Sequence, residues 1–131
     1  MILDTDFLVQ LLGGKENAHA KARELHENHE IQRVPVAVLS ELEYGAEYAL
    51  NEDERRRVRN LSRMYSVTRL DEVTARTAGR LFARADKAAG GESGADMVDA
   101  MVAALAEVTG EKVVTNDVSD FEALGVEVES F

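Results

Sequence analysis

Four acids stand where an α/β chain builds its sites. Asp4 closes the short apolar run Met1–Asp4, and Asp117 follows the Val113–Thr115 run within Thr115-Asn116-Asp117. Both read as carboxyl ends of strands. Glu41 and Asp99 fall on helical segments, in the first or second turn after a strand or loop break. Carboxylates gathered in one crevice raise one another's pKa, and a divalent cation relieves that conflict. Mg2+ and Mn2+ take oxygen ligands and keep waters, whereas zinc favours His and Cys. The chain has no cysteine, and its three histidines do not cluster with these acids. The donor set therefore points to Mg2+ or Mn2+, and disulfides, thiolate metal sites and cysteine nucleophiles are excluded.

Each acid also has a plainer use. Asp4 and Asp117 can cap the helices that follow them. Glu41 taken alone reads as a surface residue. Asp99 is more telling, because Met97, Val98, Met101, Val102, Leu105 and Val108 form a broad apolar stripe on one helix. Asp99 borders that stripe beside Val102, partly withdrawn from water. Asp96 lies opposite, where the macrodipole alone favours a first-turn acid, and it ranks as a helix-start residue that assists. His19, His26 and His29 share one polar helix at spacings that permit a metal pair, but solvated histidines are the simpler reading. Arg55, Arg56, Arg57, Arg59 and Arg63 make the one dense basic run. They can contact phosphates or pair with Glu52 and Glu54 at helical spacing.

The elements that must position these residues alternate between strand and helix. Strands are expected at Met1–Asp4, Ile31–Val34, Ser66–Leu70, Lys112–Thr115 and Val126–Val128. Helices are expected around Leu8–Leu12, then over Glu16–His29, Ala37–Tyr48, Asn51–Tyr65, Asp71–Ala89, Asp96–Val108 and Asp117–Leu124. Strands separated by helices give βαβ units and a parallel sheet, with sites beyond the carboxyl ends of its strands. At 131 residues and 45% hydrophobic content the chain reads as a single domain over 1–131 with a real core.

The charge balance is 15 basic against 25 acidic residues, a net −10. A protein that binds nucleic acid by bulk electrostatics is usually basic, so any such role must rest on a site. Acid surplus with scarce lysine suits a high-salt cytoplasm, where screening weakens self-repulsion, or simply an acidic soluble protein. No apolar stretch approaches the roughly 20 residues of a membrane span, and no basic region precedes an apolar one at the start. A soluble, cytoplasmic protein is expected.

The residues quoted resemble a PIN domain, specifically the VapC-type toxin ribonucleases of toxin–antitoxin systems. Met1-Ile2-Leu3-Asp4-Thr5-Asp6-Phe7-Leu8 resembles that family's apolar strand, Asp-Thr pair and following leucine. Ser40-Glu41-Leu42-Glu43-Tyr44-Gly45-Ala46 is similar to its Glu-Leu-x-Tyr-Gly segment, and Val98-Asp99-Ala100-Met101-Val102-Ala103-Ala104 to its Asp-x-x-Ile-Ala-Ala helix. Val113-Val114-Thr115-Asn116-Asp117, then Asp120-Phe121, resembles its Val-Thr-Asn-Asp…Asp-Phe ending. The resemblance implies a three-layer α/β fold with a parallel five-stranded sheet flanked by helices. It implies Mg2+ or Mn2+ held by Asp4, Glu41, Asp99 and Asp117, with Thr5, Thr115 and Asn116 in support, whereas Asp96 is not needed by the pattern and stays a secondary, supporting residue. It implies a homodimer, an RNA substrate and a cognate antitoxin that occludes the site. Asp6 is not needed by the pattern. Arg55, Arg56 and Arg59 become the candidates for RNA contact. Hydrolysis by metal-activated water would leave 5′-phosphate and 3′-hydroxyl ends.

Three rivals remain. A haloacid-dehalogenase-type phosphatase would use Asp4 as nucleophile and Asp6 as acid/base, but no suitable lysine follows. A receiver-like signalling domain would use Asp71 after Leu70, and again lacks its lysine. A catalytically silent PIN scaffold would bind RNA or a protein partner only.

Overall fold

β1 (Ile2–Leu3) is the most apolar strand, and both residues are fully buried. It accordingly takes the centre of the sheet. The computed structural model describes residues 1–131 and contains four further strands, β2 (Arg33–Pro35), β3 (Ser66–Thr68), β4 (Val113–Val114) and β5 (Val128–Glu129). Their order is β3-β2-β1-β4-β5 and every pairing is parallel. Ile2 registers with Arg33 on one side and Val113 on the other, and Leu3 with Val114. The two central strands, β1 and β4, are apolar runs buried throughout, as a sheet covered on both faces requires.

Seven helices connect the strands: α1 (Thr5–Leu12), α2 (Glu16–Glu27), α3 (Val36–Ala49), α4 (Glu52–Met64), α5 (Glu72–Ala88), α6 (Met97–Thr109) and α7 (Val118–Ala123). Most of α6 is interior, with Ala100 and Val102 to Ala106 all buried. Its small residues let α5 pack along it. Side chains of Asn51, Asp71 and Asp96 cap α4, α5 and α6 by accepting backbone N–H groups of the first turn. Gly110 ends α6 at φ 71°, a left-handed conformation that glycine adopts without strain. The α/β architecture expected, a parallel five-stranded sheet flanked by helices, is the one the chain adopts. No helix is long and apolar enough to cross a membrane.

Strands β1, β3 and β4 are shorter than the expected Met1–Asp4, Ser66–Leu70 and Lys112–Thr115, α2 stops at Glu27 so that His29 lies outside it at φ 55°, and three other boundaries move. α1 begins at Thr5, directly after the strand, rather than near Leu8, because Asp4 already has the extended conformation of a residue preceding a helix. β2 is Arg33–Pro35 rather than Ile31–Val34, leaving Ile31 62% exposed outside the sheet. Pro35 closes that strand and leads into α3 at φ −62°, the angle its ring fixes. β5 sits at Val128–Glu129, where it pairs with β4, rather than at Val126–Val128.

Candidate functional site

Short parallel strands place every residue that follows them at one rim of the sheet. Asp4 follows β1 and Thr115 follows β4, and these neighbouring strands bring the two side chains together. The Thr115 hydroxyl donates to Asp4 Oδ2 at 2.9 Å, with both residues buried. Neither Asp4 nor Asp117 uses its side chain to cap a helix. Burial pushes the Asp4 carboxyl up to about 8 from an ordinary 3.8. Asp6 beside it adds to the rise, the Thr5 backbone N–H and the Thr115 hydroxyl oppose it, and Asp99 adds a little more.

Asp99 stands in the first turn of α6 and is fixed by a reciprocal pair of bonds. Its backbone N–H donates to Asp96 Oδ1 at 2.8 Å, while the Asp96 N–H donates to Asp99 Oδ2 at 3.1 Å. This capping box holds Asp99 at the border of the apolar stripe. Burial raises its pKa to about 7, and the nearby charges of Asp96, Asp117 and Glu41 add to that against the Asp96 N–H. The Asp117 carboxyl is raised as well, first by burial, then by Asp120 and Asp6. One carboxylate oxygen each from Asp99, Asp117 and Asp120 lie within 4.8 Å of one another.

Asp120 is the acid that sequence reasoning left without a role. Its signal was its position three residues after Asp117, which puts both on one face of α7. Gly94 makes room for it. A Cβ on Gly94, whose φ is +94°, would lie 3.1 Å from Asp120 Oδ1.

The supporting residues divide. The Thr5 hydroxyl donates to Glu41 Oε1 at 2.6 Å, tying α1 to α3 and steadying the Glu41 carboxylate. Asp96 serves through the capping box. Thr115 is a hub: its hydroxyl oxygen also accepts the Asp117 N–H at 3.0 Å and lies 3.1 Å from Asp6 Oδ1. Asn116 turns its side chain away from the acids, and its Oδ1 accepts the Phe131 N–H. Arg55 is held by Glu47 and Glu52, and Arg56 by Asp53, whereas Arg59 is exposed and in no ion pair. His19 and His26 line a surface cleft with Arg23 and Gln32, joined by no acid, and His29 is exposed.

No ion pair reaches Asp4, Glu41, Asp99, Asp117 or Asp120, so their charge is uncompensated by any base of this chain. A set of carboxylate oxygens, those of Asp4, Asp99 and Asp117 with raised pKa values, fits a hard divalent cation such as Mg2+ or Mn2+. It fits the phosphatase reading poorly. Asp6 Oδ2 accepts the Asn116 N–H and Oδ1 shares the Thr115 hydroxyl with Asp4, and Lys112 precedes β4, at the opposite rim.

The model of the PIN domain family matches residues 1–126. Among solved structures, DNA-bound VapBC from Salmonella typhimurium is similar at 24% identity and TM-score 0.78, covering 98% of this chain and 96% of that one. VapBC2 from Rickettsia felis, bound to a promoter DNA fragment, aligns at 17% identity and TM-score 0.79, covering 99% and 97%. VapC20 from Mycobacterium tuberculosis, described as a Sarcin-Ricin loop cleaving toxin, aligns at 21% identity and TM-score 0.69, covering 95% of each chain. No curated protein matches the sequence significantly. The family match spans every element that carries an acid of the cluster, from β1 to α7, and the chain belongs to the PIN domain family.

Proposed function

We propose that this protein is a divalent-metal-dependent endoribonuclease, the toxin of a toxin–antitoxin pair, acting as a homodimer. The observation that carries the reading is the convergence of Asp4, Asp99, Asp117 and Asp120 at one rim of the sheet with no base to neutralise them. The PIN family match and the toxin–antitoxin complexes among similar folds support the toxin class and the antitoxin partner. The description of VapC20 supports RNA as substrate.

In this reading Asp4, Glu41, Asp99 and Asp117, joined by Asp120, hold Mg2+ or Mn2+. When bound, the cation neutralises phosphate charge and lowers the pKa of water. Thr5 holds one carboxylate oxygen of Glu41, and in this reading the other would take the proton of the attacking water. Water oxygen adds to phosphorus, the P–O3′ bond breaks, and the 3′ oxygen leaves and takes up a proton. The products carry 5′-phosphate and 3′-hydroxyl ends. Thr115 keeps Asp4 and the Asp117 backbone in register throughout.

The test is a cleavage assay on end-labelled structured RNAs with wild type and Asp99→Asn, with Mn2+ or Mg2+ and then with EDTA, at low and molar salt. Cleavage that needs both the metal and Asp99, with 5′-phosphate ends, is the expected result. Cleavage that persists in EDTA, or in Asp99→Asn, would sink the assignment.

A further inference from the structure

Asp6 is the one acid of this rim that neither the sequence pattern nor the proposed metal cluster employs. It is not idle. Its Oδ1 lies 3.1 Å from the Thr115 hydroxyl, and its Oδ2 accepts the Asn116 backbone N–H at 2.9 Å. The two oxygens therefore grip two consecutive residues of the turn between β4 and α7. That turn carries Asp117 at its end, and the Asp117 N–H is in turn bound to the Thr115 hydroxyl. A chain of bonds thus runs from α1 through Asp6 to Thr115 and on to Asp117, with Asp120 one helical turn beyond. The far side of the same turn is held by Asn116 Oδ1 on the Phe131 N–H.

We propose that Asp6 is a positioning residue for the metal cluster: it clamps the Thr115-Asn116 turn so that Asp117 and Asp120 face Asp99. The inference rests on the metal-binding reading above and deepens it. The geometry separates a clamp from a ligand, because Asp6 Oδ2 already receives the Asn116 N–H and Oδ1 shares the single Thr115 hydroxyl proton with Asp4, both from one turn. The chemistry also explains an acid in an already acidic place. A carboxylate offers two acceptors in a fork that spans a hydroxyl and an N–H, and charge strengthens both bonds. Asparagine offers only one acceptor oxygen, and serine a single short one that does not span both.

The clamp makes a prediction about metal affinity that a fold-wide role would not. Residues that orient metal ligands typically change affinity by about 10–100-fold when removed. Asp6→Ala, Asp6→Asn and wild type are titrated with Mn2+ by calorimetry. Amide hydrogen exchange at Asn116 and Asp117 is followed in EDTA, and RNA cleavage is followed across Mn2+ concentrations. In Asp6→Ala the Asn116 and Asp117 amides are expected to lose protection while the core strands keep theirs. Its Mn2+ affinity is expected to fall about tenfold or more, and cleavage to recover at saturating Mn2+. Asp6→Asn, which keeps one of the two grips, is expected to fall between. Unchanged amide protection in a folded Asp6→Ala would overturn the clamp whether or not the protein cuts RNA. Equal loss of affinity in Asp6→Ala and Asp6→Asn, with the turn still protected, would make Asp6 a ligand instead. Loss of exchange protection throughout the sheet would reduce it to a general structural residue. The exchange readout needs no metal, so failure of the clamp and failure of the nuclease reading are told apart.

Discussion

The two rims of this sheet treat buried charge in opposite ways. At the amino ends of the strands, Glu111 receives the amino-terminal ammonium at 2.6 Å and Arg33 Nε at 2.7 Å. Though burial pushes its carboxyl upward, those two cations outweigh it and hold it below the usual glutamate range. At the carboxyl ends, Asp4 and Asp99 are withdrawn from water to a comparable or greater degree, and the only charged groups beside them are other acids. One rim is a finished ion network that holds β1, β2 and the α6–β4 connection together. The other is a set of acids with no base of this chain beside them, two of which hold their protons to about pH 8 and 7. The same sheet thus separates a place that stabilises from a place that is kept unstable for use.

The sharpest way to break this contrast is to neutralise one acid. Asp99→Asn is expected to cut RNA cleavage by at least about 10³-fold while raising the melting temperature of the EDTA-treated protein at pH 8 by about 2–5 °C. Asparagine still accepts the Asp96 N–H but removes a charge the fold disfavours. A fall in melting temperature would show that the cluster stabilises the fold and would erase the distinction between the rims.

Acid–base linkage gives the next largest effect. Asp4 and Asp99 bind their protons up to about pH 8 and 7 when folded, against an ordinary 3.8. Their contribution to stability is fully present below about pH 4 and is lost as pH rises through 7 and 8. Metal binding must displace those protons, so Mn2+ affinity is expected to rise about 10–100-fold from pH 6 to pH 8, with protons released. Calorimetry in buffers of different ionisation enthalpy reads both. Glu111 runs the other way: its contribution is present above about pH 4.5 and is lost as pH falls. A flat affinity over that interval would mean the acids are already ionised without metal.

Glu111→Gln tests the compensated rim directly. It is expected to lower unfolding free energy by about 1–3 kcal/mol in urea titrations and to leave Mn2+ affinity unchanged within twofold. The smallest effect belongs to the arginines of α4. Arg56→Ala is expected to alter stability by less than about 0.5 kcal/mol, because its Asp53 pair is solvent-exposed. Arg59→Ala should raise KM for RNA a few-fold and flatten its salt dependence if this exposed face guides phosphates. No change in KM would confine RNA contact to other surfaces.

Much of this arrangement was legible in the residues. Apolar runs ending in Asp4 and Thr115 announced strands whose carboxyl ends carry acids. The stripe from Met97 to Val108 showed that Asp99 borders the core. What the residues did not show is how side chains divide labour at close range. Asp4 and Asp117 each precede a helix, and only the folded chain shows that neither caps one. Asp120 in a six-residue helix looks like any solvated acid until α6 is set beside it. Asp6 and Asn116 were misleading in complementary ways. Asp6, two residues past Asp4, acts on residues 109 and 110 positions away, and Asn116 points toward Phe131. Such long-range bonds leave no periodicity to read. Strand boundaries shifted for a related reason: segments of two or three residues are delimited by their partners' register more than by their own composition.

The bond between Thr115 and Asp4 joins residues 111 positions apart. A centre sewn from the ends of β1 and β4 cannot form until both strands have emerged. While the ribosome still holds residues beyond α6, Asp4 has neither its hydroxyl partner nor the turn that carries Asp117 and Asp120. Sheets closed by such distant pairings also form late and slowly compared with helical neighbours. Any chain cut short before β4 therefore lacks the bonds that join Asp4, Thr115 and Asp117.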